Sequence, residues 1–273
     1  TDMGTGCDTS LAQIAAECLD CSVENIIVSG VDTDASPYDT GSYASSTAYV
    51  TGNAVVKTCA ALRQRIKAEG SAQLGCPVED IEIDGEKVYR VDTDESISLK
   101  DLANGAMCGN SNALSATESF SSPVSPPPFV VGMAEVEIDK ETGKVDLIDY
   151  VAVVDCGTVI NTNLARVQTE GGIAQGIGMA LYEDIKYTEK GQMVSNSLMQ
   201  YKIPSRLDVG TIRVAFESSY EPTGPFGAKS IGEVVINTPS PAIANAVYNG
   251  VHVNIRELPI TAEKVYMGMH KEK

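Results

Sequence analysis

Prolines in the middle of the chain divide it into two parts. Residues 121–128 read SSPVSPPP, so four of these eight positions are proline. Proline fixes φ and lacks an N–H group, so this stretch is extended and cannot form a helix. We predict a linker here between two subdomains of mixed α/β structure, residues 1–122 and 123–273. With 273 residues, the chain is long enough for both parts to bury a core.

Local patterns predict the elements of the first subdomain. They are helices at residues 10–19 and 51–67, a buried strand at residues 25–31 and a hairpin at residues 81–91. The second helix is expected to end before Gly70, because glycine is a poor helix former. The hairpin is expected to turn at Asp84 and Gly85, a dipeptide that suits a two-residue turn.

The second subdomain is predicted in the same way. Its elements are strands at residues 129–139, 144–155 and 211–217 and helices at residues 161–182 and 242–249. The helix at residues 161–182 contains Gly171, Gly172, Gly176 and Gly178. Each glycine costs about 1 kcal/mol relative to alanine in a helix, so close packing against backbone or a ligand must justify them, and we favour a ligand. The whole pattern is α+β rather than a regular βαβ series.

Charge and composition exclude several classes of partner. The chain has 37 acidic and 20 basic residues, a net charge of −17, and no basic cluster. Nucleic acid and anionic membranes are therefore poor partners. No apolar run approaches the roughly 20 residues of a membrane span, and the seven cysteines, an odd number, suggest reduced thiols in the cytoplasm. The chain begins abruptly without methionine, which suggests processing or cleavage.

Metal-binding patterns are weak in this sequence. Cys18 and Cys21 form a lone C-x-x-C pair without a second pair at metal-site spacing, so we expect a structural role at a helix end. His252 and His270 are too few and too isolated for a zinc site. We predict no protein ligands to a metal. A dinucleotide-binding glycine fingerprint and a phosphate-binding lysine loop are also missing from the sequence.

Two polar loops in the first subdomain are candidates for binding a ligand. Residues 1–9 precede a helix, where backbone N–H groups can bind an anion, although a plain capping loop fits the same pattern. Residues 39–46 are rich in hydroxyl groups that can bind a phosphate or the edge of a heterocycle. A polar connection without a ligand explains that second loop equally well.

Two further loops lie in the second subdomain. Residues 154–158 lead into the glycine-containing helix that bears Gln168. Residues 224–233 form a glycine-rich turn that ends in Glu233, directly before the apolar pair Val234 and Val235. Desolvation of this carboxylate would suit a general base. A surface glutamate, or one placed to interact with a helix dipole, is the alternative reading.

Taken in this order, the loops resemble the C-terminal molybdopterin domain of the xanthine dehydrogenase and aldehyde oxidase family, the molybdenum hydroxylases. The resemblance extends from residue 1 to about residue 265. Its most specific part is residues 227–233, reading GAKSIGE, which is similar to the family loop that ends in the active-site base. Residues 155–161 and 168–172, reading DCGTVIN and QTEGG, are almost as specific.

The resemblance implies the residues of a site. Glu233 corresponds to the catalytic base. The implied cofactor-binding residues are Gly4, Thr5, Gly6, Tyr43, Ala44, Ser45, Gln168, Lys229, Ser230, Ile231 and Gly232. Thr5 stands where the family usually has a glutamine, so that contact is shortened or replaced by water, and Ser230 stands where many members have glycine.

The resemblance also implies an activity and its cofactors. Members bind molybdenum through molybdopterin, in bacteria as the cytosine dinucleotide, and hydroxylate an electron-poor carbon with oxygen from water. We expect an aromatic N-heterocycle, nicotinate or a purine such as xanthine, as the substrate, with an aldehyde as the alternative.

The resemblance implies partner chains as well. The sequence has no cysteine pattern for iron–sulfur clusters, so partners are expected to supply [2Fe–2S] clusters and FAD. Another chain is expected to supply the other half of the molybdopterin subunit, a division found in members that resemble nicotinate dehydrogenase. Two alternatives remain open: a non-catalytic assembly subunit that covers the cofactor, and an unrelated α+β binding protein.

Overall fold

The computed structural model describes residues 1–109 and 113–270. The chain is α+β and forms two compact units. The first consists of Thr1–Pro126 and Glu221–Lys229, and the second of Pro127–Tyr220 and Ser230–Lys273. The predicted boundary puts residues 221–229 in the second subdomain, whereas they pack with the first unit, because they contact residues near the start of its long helix. The boundary between residues 122 and 123 stays a prediction.

Two helices dominate the first unit. Helix α1 (Cys7–Leu19) begins three residues before its predicted start, and α2 (Gly52–Leu74) packs against it. The prediction that α2 ends before Gly70 is wrong. A Cβ at position 70 would lie 2.6 Å from Cγ1 of Val88, so this glycine permits close packing inside the helix. The helix ends instead at Gly75, which adopts a φ of 66°.

A small sheet and a third helix complete this unit. The predicted hairpin is confirmed as β1 (Ile81–Asp84) and β2 (Lys87–Arg90), with Gly85 at a φ of 57° in the turn. Strand β3 (Ser96–Ser98) pairs antiparallel with β2, and α3 (Leu99–Cys108) follows. The core beneath them consists of Ile66, Cys76, Ile81, Ile83, Val88 and Leu102.

The strand predicted at residues 25–31 is wrong. The structure has a single 3₁₀ turn, Val23–Asn25, followed by irregular chain, and the side chain of Ile27 is 93% exposed. An apolar run becomes a strand only where a neighbouring strand pairs with its backbone groups, and no strand pairs with this segment in the described part of the chain.

The second unit is built on a mixed three-stranded sheet. Strands β4 (Phe129–Ile138) and β5 (Val145–Asp155) are antiparallel, and Gly143 in their turn has a φ of 79°. Helix α4 (Thr162–Leu181) connects β5 to the parallel strand β6 (Thr211–Phe216). The predicted strands β4, β5 and β6 and the predicted helix α4 are all confirmed. Because β5 and β6 are parallel, β5, α4 and β6 form one βαβ unit.

Helices cover one face of this sheet. Helix α5 (Pro239–Val251) begins three residues before its predicted start, and α6 (Ala262–Met269) follows it. Helices α4 and α5 pack on the face that presents Tyr150, Ala152 and Val154, all fully buried. Among the described residues, no helix is long and apolar enough to cross a membrane.

Candidate functional site

The first predicted loop is organised by a carboxylate of its own. Asp2 Oδ1 accepts the N–H groups of Gly4 at 2.8 Å and Gly6 at 3.2 Å, and Oδ2 accepts that of Asp8 at 3.3 Å. These bonds, above all the one from Gly4, hold the pKa of Asp2 below its ordinary value. The Gly4 and Gly6 N–H groups are therefore already engaged by Asp2, and anion binding by this loop stays a prediction. Gly4, Thr5 and Gly6 stay predicted contacts through their other atoms.

The second predicted loop has an unusual backbone. Ala44 and Ser45 adopt φ values of 52° and 55°, a left-handed conformation that costs non-glycine residues free energy. Tyr43 is 68% exposed, Ala44 is exposed and Ser45 is half-buried. Residues in such conformations cluster at functional sites, where the surrounding structure holds them. The loop leads directly into a π-helical turn, Thr47–Thr51, and then into α2.

These two loops precede helices that pack side by side. A Cβ at Gly52, the first residue of α2, would lie 3.1 Å from Cδ1 of Ile14, halfway along α1. Further along α2, Arg63 donates a hydrogen bond of 3.4 Å to the carbonyl of Cys18 near the end of α1. The contacts advance in the same direction along both helices, so the helices run parallel. The N-terminal end of α2 therefore packs against the middle of α1.

A third segment, which ends at Lys229, is attached to the start of α2. Thr223 receives a hydrogen bond of 2.7 Å from the Tyr49 hydroxyl, and its carbonyl receives one of 3.0 Å from Asn53 Nδ2. Pro225 fits against Gly52, where a Cβ would lie 2.8 Å from its Cγ. The segment ends at Lys229, whose side chain is only 9% exposed. The segment is therefore attached to the start of α2, and the contacts of the predicted site residues with a ligand stay a prediction.

The glycines of α4 are explained by protein packing. A Cβ at Gly172 would overlap Cγ2 of Val235, and one at Gly176 would lie 2.8 Å from the carbonyl oxygen of Ile236. One at Gly178 would overlap the carboxylate of Glu183. The favoured reading, close approach of a ligand, is wrong for these three positions. At Gly171, in contrast, a Cβ would meet no atom within 4 Å.

This packing brings Gln168 and Glu233 to the same region of the second unit. Gln168 lies one turn before Gly172 on the same face of α4, and Glu233 lies two residues before Val235, which Gly172 contacts. Gln168 is half-buried, and its amide makes no hydrogen bond to the described residues. It therefore remains available to a ligand.

The catalytic candidate lies on an accessible turn. Ser230 and Ile231 are half-buried, whereas Gly232 and Glu233 are exposed, and Glu233 directly precedes the 3₁₀ turn Val234–Ile236. The exposure of Glu233 does not support its expected desolvation, although Val235, two residues later, is buried.

Several residues that shape the site were missed in the sequence. Asp2 orders the first loop, and Tyr49, Asn53 and Thr223 hold the third segment. Asp155 accepts hydrogen bonds from the Gly157 N–H at 2.9 Å and from the Ser219 hydroxyl at 2.6 Å. Asp2 could have been found, because an aspartate two residues before a glycine commonly forms such a turn. The contacts of Tyr49 span 174 residues and leave no local signal.

Residues outside these loops have structural explanations. The seven cysteines are free thiols. Cys18 near the end of α1 shares a hydrogen bond with Cys59 of α2, which lowers the pKa of Cys59 and accords with a structural role. Asp2, Cys7 and Asp8 lie within 4.8 Å of one another, but the Asp2 carboxylate is already engaged by backbone N–H groups.

Comparisons with known proteins agree on one family. The model described as molybdopterin cofactor-binding domain matches residues 1–210. The chain is 35% identical to the "Probable hypoxanthine oxidase" of Escherichia coli strain K12 over 99% of its own length and 28% of that protein. It is 32% identical to the xanthine dehydrogenase molybdenum-binding subunit of E. coli O157:H7 over 99% and 37% of the two chains.

A solved structure shows the same fold. Quinoline 2-oxidoreductase from Pseudomonas putida 86 superposes with a TM-score of 0.90 and 30% identity, over 100% of this chain and 36% of that one. The chain thus spans about a third of the length of the proteins that it matches.

Proposed function

The chain belongs to the molybdopterin cofactor-binding domain family, and on that premise we propose that it is the part of a molybdenum hydroxylase that carries the catalytic base. One observation carries this proposal: Gly172 of α4 packs against Val235, and Gln168 lies one turn before Gly172 on the same face of the helix. On this basis we propose that the amide of Gln168 and the carboxylate of Glu233, which are 65 positions apart in the sequence, belong to one site.

The residues present fit a molybdopterin cofactor. The exposed Tyr43 and the left-handed Ala44 and Ser45 present polar atoms of their loop, and the space beside Gly4 is open. Gln168 and the segment from Lys229 to Gly232 are the proposed cofactor contacts from the C-terminal half of the chain. We propose the cytosine dinucleotide form because the hydroxyl-rich loop at residues 39–46 offers donors to a phosphate.

Glu233 is proposed to move one proton. When bound, the cofactor supplies a molybdenum centre that accepts two electrons from the substrate while oxygen from water is incorporated. A carboxylate oxygen of Glu233 takes the proton that is released as this oxygen bonds to the substrate carbon. The exposure of Glu233 in this chain leaves that carboxylate accessible to a substrate. A positioned base contributes about 10²–10⁴-fold to a rate.

An aromatic N-heterocycle is the proposed substrate. The names of the relatives refer to hypoxanthine, xanthine and quinoline, all N-heterocycles with an electron-poor carbon. Nicotinate belongs to the same chemical class. An aldehyde is the second candidate, because aldehyde oxidoreductase molybdenum-binding subunits are also 30% identical to this chain.

Partner chains are part of the proposal. The chain covers 28–37% of the length of these relatives, and we propose that the remaining part of a molybdenum-binding subunit completes the site. Iron–sulfur and FAD subunits are proposed to receive the electrons, since the sequence has no cluster-binding cysteine pattern. The free thiols of all seven cysteines support a reducing compartment, the cytoplasm.

Replacing Glu233 with glutamine tests the assignment. In the intact complex, Glu233→Gln is expected to lower turnover of nicotinate, xanthine or hypoxanthine by at least about 10²-fold, because glutamine cannot accept the proton. Molybdenum content, measured by mass spectrometry of the metal, should stay equal to that of the unaltered complex.

Glu189→Gln is the matched control. Glu189 is exposed in a turn far along the sequence from the predicted site, so its loss of charge should leave turnover unchanged. Near-normal turnover by the Glu233→Gln complex would contradict the proposal and would favour the alternative of a non-catalytic subunit that covers the cofactor.

A further inference from the structure

The segment that leads to Glu233 is folded tightly upon itself. The Glu221 N–H donates to the Gly227 carbonyl at 3.1 Å, and the Gly224 N–H donates to the Glu221 carbonyl at 3.0 Å. Phe226 and Gly227 both have positive φ, 51° and 86°. A Cβ at Gly224 would collide with the carbonyl oxygen of Ala228. The segment is therefore a closed loop with little room to change shape.

A set of hydrogen bonds attaches this loop to the start of α2. We call Tyr49, Asn53, Glu221 and Thr223 the Thr223 clamp. The Tyr49 hydroxyl donates to Thr223 Oγ1, which in turn donates to Glu221 Oε1 at 2.5 Å, and the Thr223 N–H donates to the same Glu221 oxygen at 3.0 Å. Asn53 Nδ2 donates both to the Thr223 carbonyl at 3.0 Å and to the Tyr49 carbonyl at 2.9 Å.

The clamp is built from oriented and charged groups. Tyr49 is only 4% exposed, and its hydroxyl is satisfied by donating to Thr223 Oγ1 and by accepting a hydrogen bond of 3.3 Å from Ser122 Oγ. The bonds from Thr223, with the nearby charge of Lys229, lower the pKa of Glu221, which is therefore a carboxylate at neutral pH. Hydrogen bonds to a charged acceptor are the stronger kind. The hydroxyl, the N–H group and the carbonyl of Thr223 therefore each make a hydrogen bond within the clamp.

We propose that the Thr223 clamp positions the loop that carries Glu233. The clamp fixes the chain up to the buried Lys229, and only Ser230, Ile231 and Gly232 lie between that residue and Glu233. Its members are positioning residues, because they act through the backbone and not on the substrate. This inference rests on the proposed role of Glu233. A base displaced by about 1 Å from its productive position loses up to about a hundredfold in rate.

Thr223→Val tests the clamp with almost no change in side-chain shape. In the intact complex we expect kcat to fall about tenfold while KM changes less than twofold and molybdenum content is unchanged, since the loop is loosened but the binding groups remain. Hydrogen exchange of the amides in residues 221–233, measured by mass spectrometry, should accelerate about tenfold. Tyr49→Phe, which removes only the hydroxyl, should act in the same direction.

Two controls separate positioning from general loss of structure. Thr223→Ser keeps the hydroxyl and should restore kcat to within about threefold of normal, as expected when the hydrogen bonds are kept. Tyr187→Phe removes the hydroxyl of a tyrosine that is 62% exposed and should change neither quantity.

The outcomes also distinguish the two proposals. Unchanged kcat and unchanged exchange in Thr223→Val would overturn the clamp, and so would a loss of molybdenum that accounts for the whole loss of activity. Either result leaves the role of Glu233 standing as long as Glu233→Gln is inactive. Normal activity of Glu233→Gln would overturn the proposed function itself, whatever Thr223→Val does.

Discussion

A carboxylate at the start of the chain illustrates how one residue shapes a binding loop. Asp2 accepts three backbone N–H groups, those of Gly4, Gly6 and Asp8, at 2.8–3.3 Å. The positive φ of Gly4 and of Gly6, 105° and 77°, allows the backbone to curl around this side chain. A loop that sequence patterns describe as an anion site thus contains its own anion. A ligand of this loop must therefore contact atoms other than the N–H groups that Asp2 already accepts.

Removing that carboxylate should loosen the loop without unfolding the chain. We expect Asp2→Ala to accelerate hydrogen exchange at Gly4, Gly6 and Asp8 about tenfold or more, because the three amides lose their acceptor. Cofactor content of the complex should fall, while the midpoint of urea unfolding should shift little. Asp32→Ala is the control, because it removes a similar turn carboxylate elsewhere in the first unit, one that accepts the Asp34 N–H at 2.9 Å. Unchanged exchange at Gly4 would contradict this role.

Acid should have the same effect on this loop. Because hydrogen bonds depress the pKa of Asp2, its contribution to loop order is present above the ordinary carboxyl pKa and is lost as the pH falls through the depressed value. The loop should therefore remain ordered at neutral pH and loosen only below about pH 4. Amide exchange corrected for its intrinsic pH dependence measures this.

At the scale of elements, the glycines of α4 set how closely two segments of the site approach. Gly172 faces Val235 and Gly176 faces Ile236 and Pro239, so the helix backbone lies against the chain that follows Glu233. Two glycines in a helix cost about 2 kcal/mol relative to alanine, which the buried Ile173, Ile177 and Val235 offset. The helix thus gives up intrinsic stability for close contact.

Substitutions at two adjacent glycines separate the intrinsic cost of glycine in a helix from the stability gained by close packing. Gly171→Ala should stabilise the chain by up to about 1 kcal/mol, because the added methyl group meets no atom and alanine favours the helix. Gly172→Ala should destabilise it by about 1–3 kcal/mol, because the methyl group overlaps Val235 and the packed segment must shift. Urea unfolding of both variants measures the difference.

Turnover supplies a second readout for this pair. Gly172→Ala should also lower kcat in the complex, since it displaces the segment of Glu233, whereas Gly171→Ala should leave kcat unchanged. Equal unfolding free energies for the two variants would show that the packing seen between α4 and Val235 does not contribute to stability.

At the scale of the whole molecule, charge imbalance should govern the response to salt. The net charge is −17, and ion pairs such as Lys144 with Asp146 and Lys87 with Asp84 are exposed. Exposed pairs contribute about 0–1 kcal/mol each and are weakened by salt, whereas repulsion among the excess acidic groups acts over the whole surface. The repulsion should therefore dominate.

Thermal unfolding tests this balance. Raising sodium chloride from about 0.02 to 0.5 M shortens the Debye length from roughly 20 Å to roughly 4 Å, and the Tm of the isolated chain should rise by several degrees. Chloride salts are preferred to sulfate, which also strengthens apolar burial. A Tm that falls with salt would show that ion pairs such as Lys67 with Glu82 outweigh the repulsion.

The sequence alone determined the local structure of this protein and the identity of its candidate residues. Turns at Gly85 and Gly143, the strands around them and the helix at α4 were predicted correctly. Each depends on φ preferences and periodicity within a few residues, which neighbouring residues largely decide. The motif that ends in Glu233 was recognisable for the same reason, since all of its residues are contiguous.

Only the tertiary structure decided what those residues contact. It converted Gly70 from an expected helix end into a packing site, left residues 25–31 without a partner strand, and attached Thr223 to Tyr49. Each outcome depends on residues far away in the chain, whose approach is governed by packing and not by local preference. That is why the packing of Gly172 against Val235, on which the proposed approach of Gln168 to the segment of Glu233 depends, became visible only once the chain was folded.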